Sequence, residues 1–183
     1  LTLQTVVTGM HLSPEFGSTY KEIEADGFAI DARVEMLLSG DTTSSVAKSL
    51  GLGVIGFSDV FDRLQPDLIL LPGDRFEIFA AAQAALIMKI PVAHLYGGDT
   101  TQGAFDEAIR HSLTKMSHLH FVTNEESAAR VRQLGENPDH IFVVGTPALD
   151  QINSQTLLSR QDLAQDLDFE FRQKNLMVTF HPV

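Results

Sequence analysis

Residues 68–75 read Leu68-Ile69-Leu70-Leu71-Pro72-Gly73-Asp74-Arg75, four apolar residues in a row followed by a proline, a glycine and two charges. A run of this length, closed by Pro and Gly, is the signature of a strand. Its lack of polar alternation marks a strand covered on both faces, as in parallel sheets flanked by helices. Runs of the same kind recur on either side of it, at Leu3 to Val7, Val34 to Leu38, Val92 to Leu95, His118 to Val122, Ile141 to Val144 and Leu176 to Phe180. Between them lie segments with apolar residues every three or four positions, at Phe76 to Met88, Ala104 to Met116 and Glu125 to Leu134. Strand alternating with helix predicts an α/β chain built on a doubly wound, Rossmann-like parallel sheet with right-handed crossovers.

The chain has 183 residues, enough for one full domain and the start of another at roughly 100 to 200 residues per domain. With 44% hydrophobic and 20% charged residues, and no apolar run near the ~18 needed to span a bilayer, it reads as a soluble globular protein with no membrane partner. A net charge of −11 repels a phosphate backbone and argues against nucleic acid as a partner. The absence of Cys excludes disulfides, thiolate metal sites and a Cys nucleophile, and a cytoplasmic setting is expected. Residue 1 is a Leu inside a strand-like run, so the numbering is expected to begin within a longer chain, with a preceding strand outside it. From about residue 151 the pattern turns polar, rich in Gln, Asp and Leu, before one last apolar run enters His181 and Pro182. The expected organisation is an N-terminal Rossmann-like domain over 1–174, with a linker from about 151, and the first strand of a C-terminal nucleotide-binding domain over 175–183.

In open parallel sheets, ligands bind outside the carboxyl ends of the strands, and the residues that follow each apolar run are strongly polar here. Pro72-Gly73-Asp74-Arg75 follows one run; Tyr96-Gly97-Gly98-Asp99-Thr100-Thr101-Gln102-Gly103 follows another and leads into a helix that opens with Asp106-Glu107 and carries Arg110 and His111. Three acids, Asp74, Asp99 and Asp106, thus fall on one edge. Each also has a plain structural reading: Asp74 as a helix cap, Asp106 as a first-turn carboxylate complementing the helix dipole. Asp106 and Arg110, four apart, can pair on one helix face, or Arg110 can contact phosphate or sugar oxygens. The glycines around Asp99 lead to a helix N-terminus able to hold an anion, although their spacing matches neither the G-x-G-x-x-G fingerprint nor the phosphate loop. His118 and His120, at strand spacing, resemble a metal pair but have no third ligand at a telling distance, and no metal is expected. His94 reads as a packed core residue, whereas His11, in an irregular loop over Gly9 to Gly17, and His181 follow strand ends and are site candidates.

Several of these segments carry a resemblance. Thr8-Gly9-Met10-His11-Leu12-Ser13-Pro14-Glu15-Phe16-Gly17, Gly73-Asp74-Arg75-Phe76-Glu77, His94-Leu95-Tyr96-Gly97-Gly98-Asp99, Asp106-Glu107-Ala108-Ile109-Arg110-His111 and Thr179-Phe180-His181-Pro182 resemble the successive signature segments of hydrolysing UDP-N-acetylglucosamine 2-epimerases of bacterial sialic and legionaminic acid synthesis. The resemblance implies two Rossmann-like domains in a glycosyltransferase-B-like fold, of which this chain is the N-terminal half, and a homo-oligomer, dimer or tetramer. It implies conversion of UDP-N-acetylglucosamine to UDP and N-acetylmannosamine by elimination of UDP to a glycal and rehydration, without a cofactor. Carried over by position, Asp74, Asp99, Asp106 and His181 are the catalytic candidates, and His11, Gly98 and Arg110 the substrate-binding ones. Asp99 stands where the family usually has Glu, one methylene longer, roughly 1.5 Å of reach. Three other readings stay open: a hydrolysing epimerase of UDP-2,4-diacetamido-2,4,6-trideoxyglucose in legionaminic acid synthesis, a non-hydrolysing epimerase, and a non-catalytic nucleotide-sugar-binding domain. The reading His94-Leu95-Tyr96-Gly97-Gly98-Asp99, in place of a His-x-Glu-Ala-Gly pattern, favours hydrolysis over the second of these.

Overall fold

A buried row of four side chains, Leu71, His94, His120 and Ile141, runs across neighbouring strands in register and defines the principal sheet. The computed structural model describes residues 1–180, which divide into one unit over 1–144 and a second beginning at Gly145. In the first unit β1 (Val6–Thr8) pairs in parallel with β2 (Ala32–Val34), and β3 (Ile69–Pro72), β4 (Val92–Leu95), β5 (Leu119–Val122) and β6 (Ile141–Val143) form a parallel sheet in sequential order. The connections are helical, as parallel pairing requires. They are α1 (Tyr20–Ala25), α2 (Thr43–Leu64), α3 (Phe76–Met88), α4 (Asp106–Met116) and α5 (Glu125–Gln133). The fold is the expected α/β, Rossmann-like one.

The longest helix, α2, lies in a stretch that the periodicity reading does not include. The Thr42 side chain caps it by accepting from the Ser45 N–H at 3.2 Å. Its buried face, Ser49, Gly53, Phe57, Val60 and Phe61, packs with α3, whose buried face is almost all alanine. Small residues on both helices let the backbones approach closely. A Cβ on Gly53 would lie 2.7 Å from Met36 Cε and 2.8 Å from Ala80 Cβ, whereas one on Gly51 would meet nothing within 4 Å.

One expectation is corrected. Continuous burial on both faces holds for β4, where Val92, Ala93 and His94 are all buried, but not for β3, where Leu70 is 58% exposed. Sequence alone does not separate these cases, since β4 lies between two strands while β3 ends the sheet. The run from Leu176 to Phe180, expected as the first strand of a further domain, has Leu176, Met177, Val178 and Phe180 exposed and pairs with no strand among the described residues. A strand exists only with a hydrogen-bonded neighbour. In the second unit the polar stretch contains α6 (Pro147–Ser154) and α7 (Arg160–Asp166), the latter capped by Ser159 accepting from the Asp162 N–H at 3.1 Å.

The glycine contrast yields a paired prediction. Gly51→Ala should raise unfolding stability by about 0.5–1 kcal/mol through helix propensity, and Gly53→Ala should lower it by about 1–3 kcal/mol through overpacking. Urea unfolding midpoints of the two variants check this; equal shifts would show that α2 and α3 do not meet at Gly53.

Candidate functional site

The segments that follow the carboxyl ends of β3 and β4 carry the acids, and the one that follows β5 carries Thr123. After β3 the chain turns at Gly73 (φ +84°) and presents Asp74 before α3 begins. After β4 it turns through Tyr96 (φ +69°), Gly97 and Gly98 (φ +80°) to Asp99. Gly98 has a packing reason: a Cβ there would lie 2.2 Å from the Ser127 carbonyl oxygen, so only glycine lets this loop touch the first turn of α5. The Gly98 carbonyl accepts from Arg130 Nη1 at 2.8 Å, which pins the loop to α5 from a second point.

At the centre of the site is Arg110, 5% exposed in the middle of α4. Its Nη1 donates to the Asp99 carbonyl at 2.7 Å and to Glu107 Oε2 at 2.9 Å. Its Nη2 donates to Thr101 Oγ1 at 2.7 Å and forms an ion pair with Asp74. Four of the five guanidinium N–H groups are thereby engaged, leaving Nε. The Asp99 carboxylate accepts from the Thr123 and Ser127 hydroxyls, each at 2.6 Å. Glu107 also accepts from the Thr101 N–H at 2.5 Å; that bond, with Arg110 and His111 nearby, holds its carboxyl below the usual range. Burial, then the charge of Asp74, push the Asp106 carboxyl up despite Arg75 and Arg110. Among the described residues no donor engages Asp106. The edge therefore carries a carboxylate locked in an ion pair, one held by hydroxyls, and one with raised proton affinity and no partner.

Of the sequence candidates, Asp74, Asp99 and Arg110 are brought into direct contact, and Asp106 adjoins them electrostatically. The Asp106–Arg110 pair that the four-residue spacing allows does not form; Asp74, Glu107, Thr101 and the Asp99 carbonyl take the Nη protons instead. Asp74 does not cap α3, whose N-cap is Arg75 without a side-chain bond. His11 lies in the turn after β1, exposed, with Nδ1 2.7 Å from Thr19 Oγ1 and no bond to the acid cluster. His181 lies outside the described residues. His118 and His120 do not share a face: His118 is exposed with Nδ1 accepting from the Val92 N–H, and His120 is buried with Nε2 3.2 Å from Glu136 Oε2. Among the described residues no group of three His, Asp or Glu is arranged to hold a metal ion, and no helix is long and apolar enough to cross a membrane.

Glu107, Thr101, Thr123 and Ser127 are site residues that the sequence reading does not single out. Glu107 had a signal, its three-residue spacing from Arg110; the hydroxyls had none. A cleft of about 640 Å³ opens nearby, lined by Met10, Ser13, Leu38, Asp41, Arg75 and Phe76 among others. The three acids are not in its wall, but Arg75 directly follows Asp74.

The model of the family described as UDP-N-acetylglucosamine 2-epimerase matches residues 1–183. The chain belongs to this family. Across all 183 residues it is 44% identical to the GDP/UDP-N,N'-diacetylbacillosamine 2-epimerase (hydrolyzing) of Campylobacter jejuni and 42% identical to the UDP-N,N'-diacetylbacillosamine 2-epimerase (hydrolyzing) of Legionella pneumophila, covering 47% and 48% of those proteins. It is 33% identical to the UDP-N-acetylglucosamine 2-epimerase of Neisseria meningitidis, of which it covers 47%. The chain thus spans about half the length of these epimerase relatives. A crystal structure of a UDP-N-acetylglucosamine 2-epimerase superposes with a TM-score of 0.76 at 22% identity, over 90% of this chain and 44% of that one. The N. meningitidis enzyme bound to UDP-N-acetylglucosamine superposes with a TM-score of 0.69, over 90% of this chain and 46% of that one.

Behind the acids of this family member lies His94, fully buried, with Nε2 2.8 Å from the Gly73 carbonyl and Nδ1 without a partner among the described residues. Burial lowers its pKa from 6.5 to about 4, so the ring is neutral and Nε2 carries the proton that Gly73 accepts. Between pH 6.5 and 4 the unfolded chain binds this proton and the native one does not, so stability falls as the pH drops through that window, by about 3 kcal/mol in full. His94→Gln, which keeps an N–H for Gly73, should show a shallower loss of stability between pH 6.5 and 4 in urea titrations. An unchanged slope would remove His94 as its source.

Proposed function

We propose that the chain supplies the acid-bearing half of a hydrolysing nucleotide-sugar 2-epimerase acting on nucleoside-diphosphate-linked 2,4-diacetamido-2,4,6-trideoxyglucose, which is N,N'-diacetylbacillosamine. The observation that carries this reading is the greater identity to the two hydrolysing diacetylbacillosamine 2-epimerases than to the N-acetylglucosamine enzyme of N. meningitidis. It moves the substrate from UDP-N-acetylglucosamine, placed first on the sequence, to its diacetamido relative. The nucleotide-binding half belongs to the remaining length of such enzymes, and a cytoplasmic homo-oligomer, dimer or tetramer, is part of the same reading.

The acids suit an elimination followed by addition. A carboxylate takes the C2 proton, the C1–O bond to the nucleotide breaks with its electrons leaving on the nucleoside diphosphate, and a C1–C2 double bond forms. Water then adds its oxygen to C1, giving up a proton, while an acid protonates C2 from the other face. Asp99, whose carboxylate accepts two hydroxyl hydrogen bonds, suits the base. Asp106, with its raised proton affinity, suits the acid. Asp74 and Arg110 hold each other and the loops between these two.

The test is NMR of the full-length protein in heavy water with the UDP- and GDP-linked diacetamido sugars and with UDP-N-acetylglucosamine. Release of nucleoside diphosphate with deuterium at an inverted C2 is expected, fastest for a diacetamido substrate; equal or greater turnover of UDP-N-acetylglucosamine would restore the simpler sugar. Asp74→Asn and Asp106→Asn should each cut turnover by about 10²-fold or more without unfolding the protein. Asp106→Asn should in addition accumulate the glycal, and release of saturated sugar at the normal rate would take Asp106 out of the mechanism.

A further inference from the structure

Asp99 is held by one oxygen only. Its Oδ1 accepts from Thr123 Oγ1 and from Ser127 Oγ, both at 2.6 Å, and among the described residues nothing donates to Oδ2. A hydroxyl has one proton to give: Thr123 Oγ1 accepts from the Asn124 side-chain amide at 3.0 Å and lies 3.4 Å from Ser127 Oγ, and its own proton goes to the much nearer Asp99 Oδ1, which can only accept. Ser127 is 1% exposed, and its own N–H is capped by Asn124 Oδ1 at 2.9 Å. The platform is rigid on the other side as well, because Gly98, the residue before Asp99, rests on the Ser127 carbonyl. Two O–H donors thus converge on Oδ1 and fix its position. A carboxylate one methylene longer would carry its oxygens roughly 1.5 Å past both hydroxyls, so the clamp fits Asp.

We propose that Thr123 and Ser127 are positioning residues that clamp Asp99 through Oδ1 and leave Oδ2 as its single proton-transfer oxygen, an inference that rests on the reading of Asp99 as a proton-transfer group. The clamp aims one lone pair at the substrate and keeps that carboxylate from rotating between two equivalent oxygens. It also makes the start of α5 part of the catalytic apparatus, although neither hydroxyl touches the sugar.

The test uses Thr123→Val, Ser127→Ala and their combination in the full-length protein, with Thr123→Ser as the conservative variant. In the double variant kcat should fall about 10²-fold, as for a misplaced catalytic group, with KM changed less than about twofold. Thr123→Ser should restore the wild-type rate. A wild-type kcat in the double variant, or a Thr123→Ser variant that behaves like Thr123→Val, would overturn the clamp. The carbon-13 chemical shift of the Asp99 carboxyl in the substrate-free protein, read at one pH in wild type and variants, separates this proposal from the substrate assignment. A resonance that moves in the double variant and returns in Thr123→Ser supports the clamp whichever sugar is turned over, and one that stays in place overturns it.

Discussion

The buried guanidinium of Arg110 is the interaction on which the carboxyl-end face of the sheet depends. Taking an ion out of water costs several kcal/mol that only good hydrogen-bond acceptors offset, and here the acceptors for the four Nη protons come from three places in the chain: Asp74 after β3, Asp99 and Thr101 after β4, and Glu107 within α4 itself. The requirement runs in both directions. Several carboxylates on one edge repel one another, and the cation among them lets them stay close. A lysine would not serve, since a single ammonium cannot reach these four acceptors with fixed planar geometry.

Around that fork the framework is made of small residues and short turns. Glycine at 98 brings the β4 loop onto α5, and glycine and alanine bring α2 onto α3. His94 links the core to the site: it belongs to the buried row that crosses the sheet, and its Nε2 holds the Gly73 carbonyl just before Asp74. Packing and proton chemistry therefore meet at one residue. One hydrogen bond ties the core row to the residue before Asp74, and Arg110 ties Asp74 to the Asp99 backbone.

Much of this was legible in the residues. Phe76–Met88 matches the expected helix end for end, and β4 the expected strand, because each carries an unbroken period between clear breakers. α2 was obscured by three glycines, which lower helix propensity but are there for close packing. In the site, acids after apolar runs were visible as a set, since a parallel sheet sends all its carboxyl ends to one edge. Their pairing was not. Spacing offered Asp106 to Arg110, and the fold chose Glu107 and Asp74, one of which is 36 residues away in sequence.

By itself the sequence determined the alternation of strand and helix, the edge on which the acids gather, and membership of an epimerase family, because these rest on local periodicity and on ordered motifs. Only the tertiary structure decided which carboxylate meets the arginine, which is held by hydroxyls, and which is left with a raised affinity for its proton. The physical reason is that proton affinity and hydrogen bonding depend on burial and on distances of about 3 Å between segments far apart in the chain, and no local pattern records those distances.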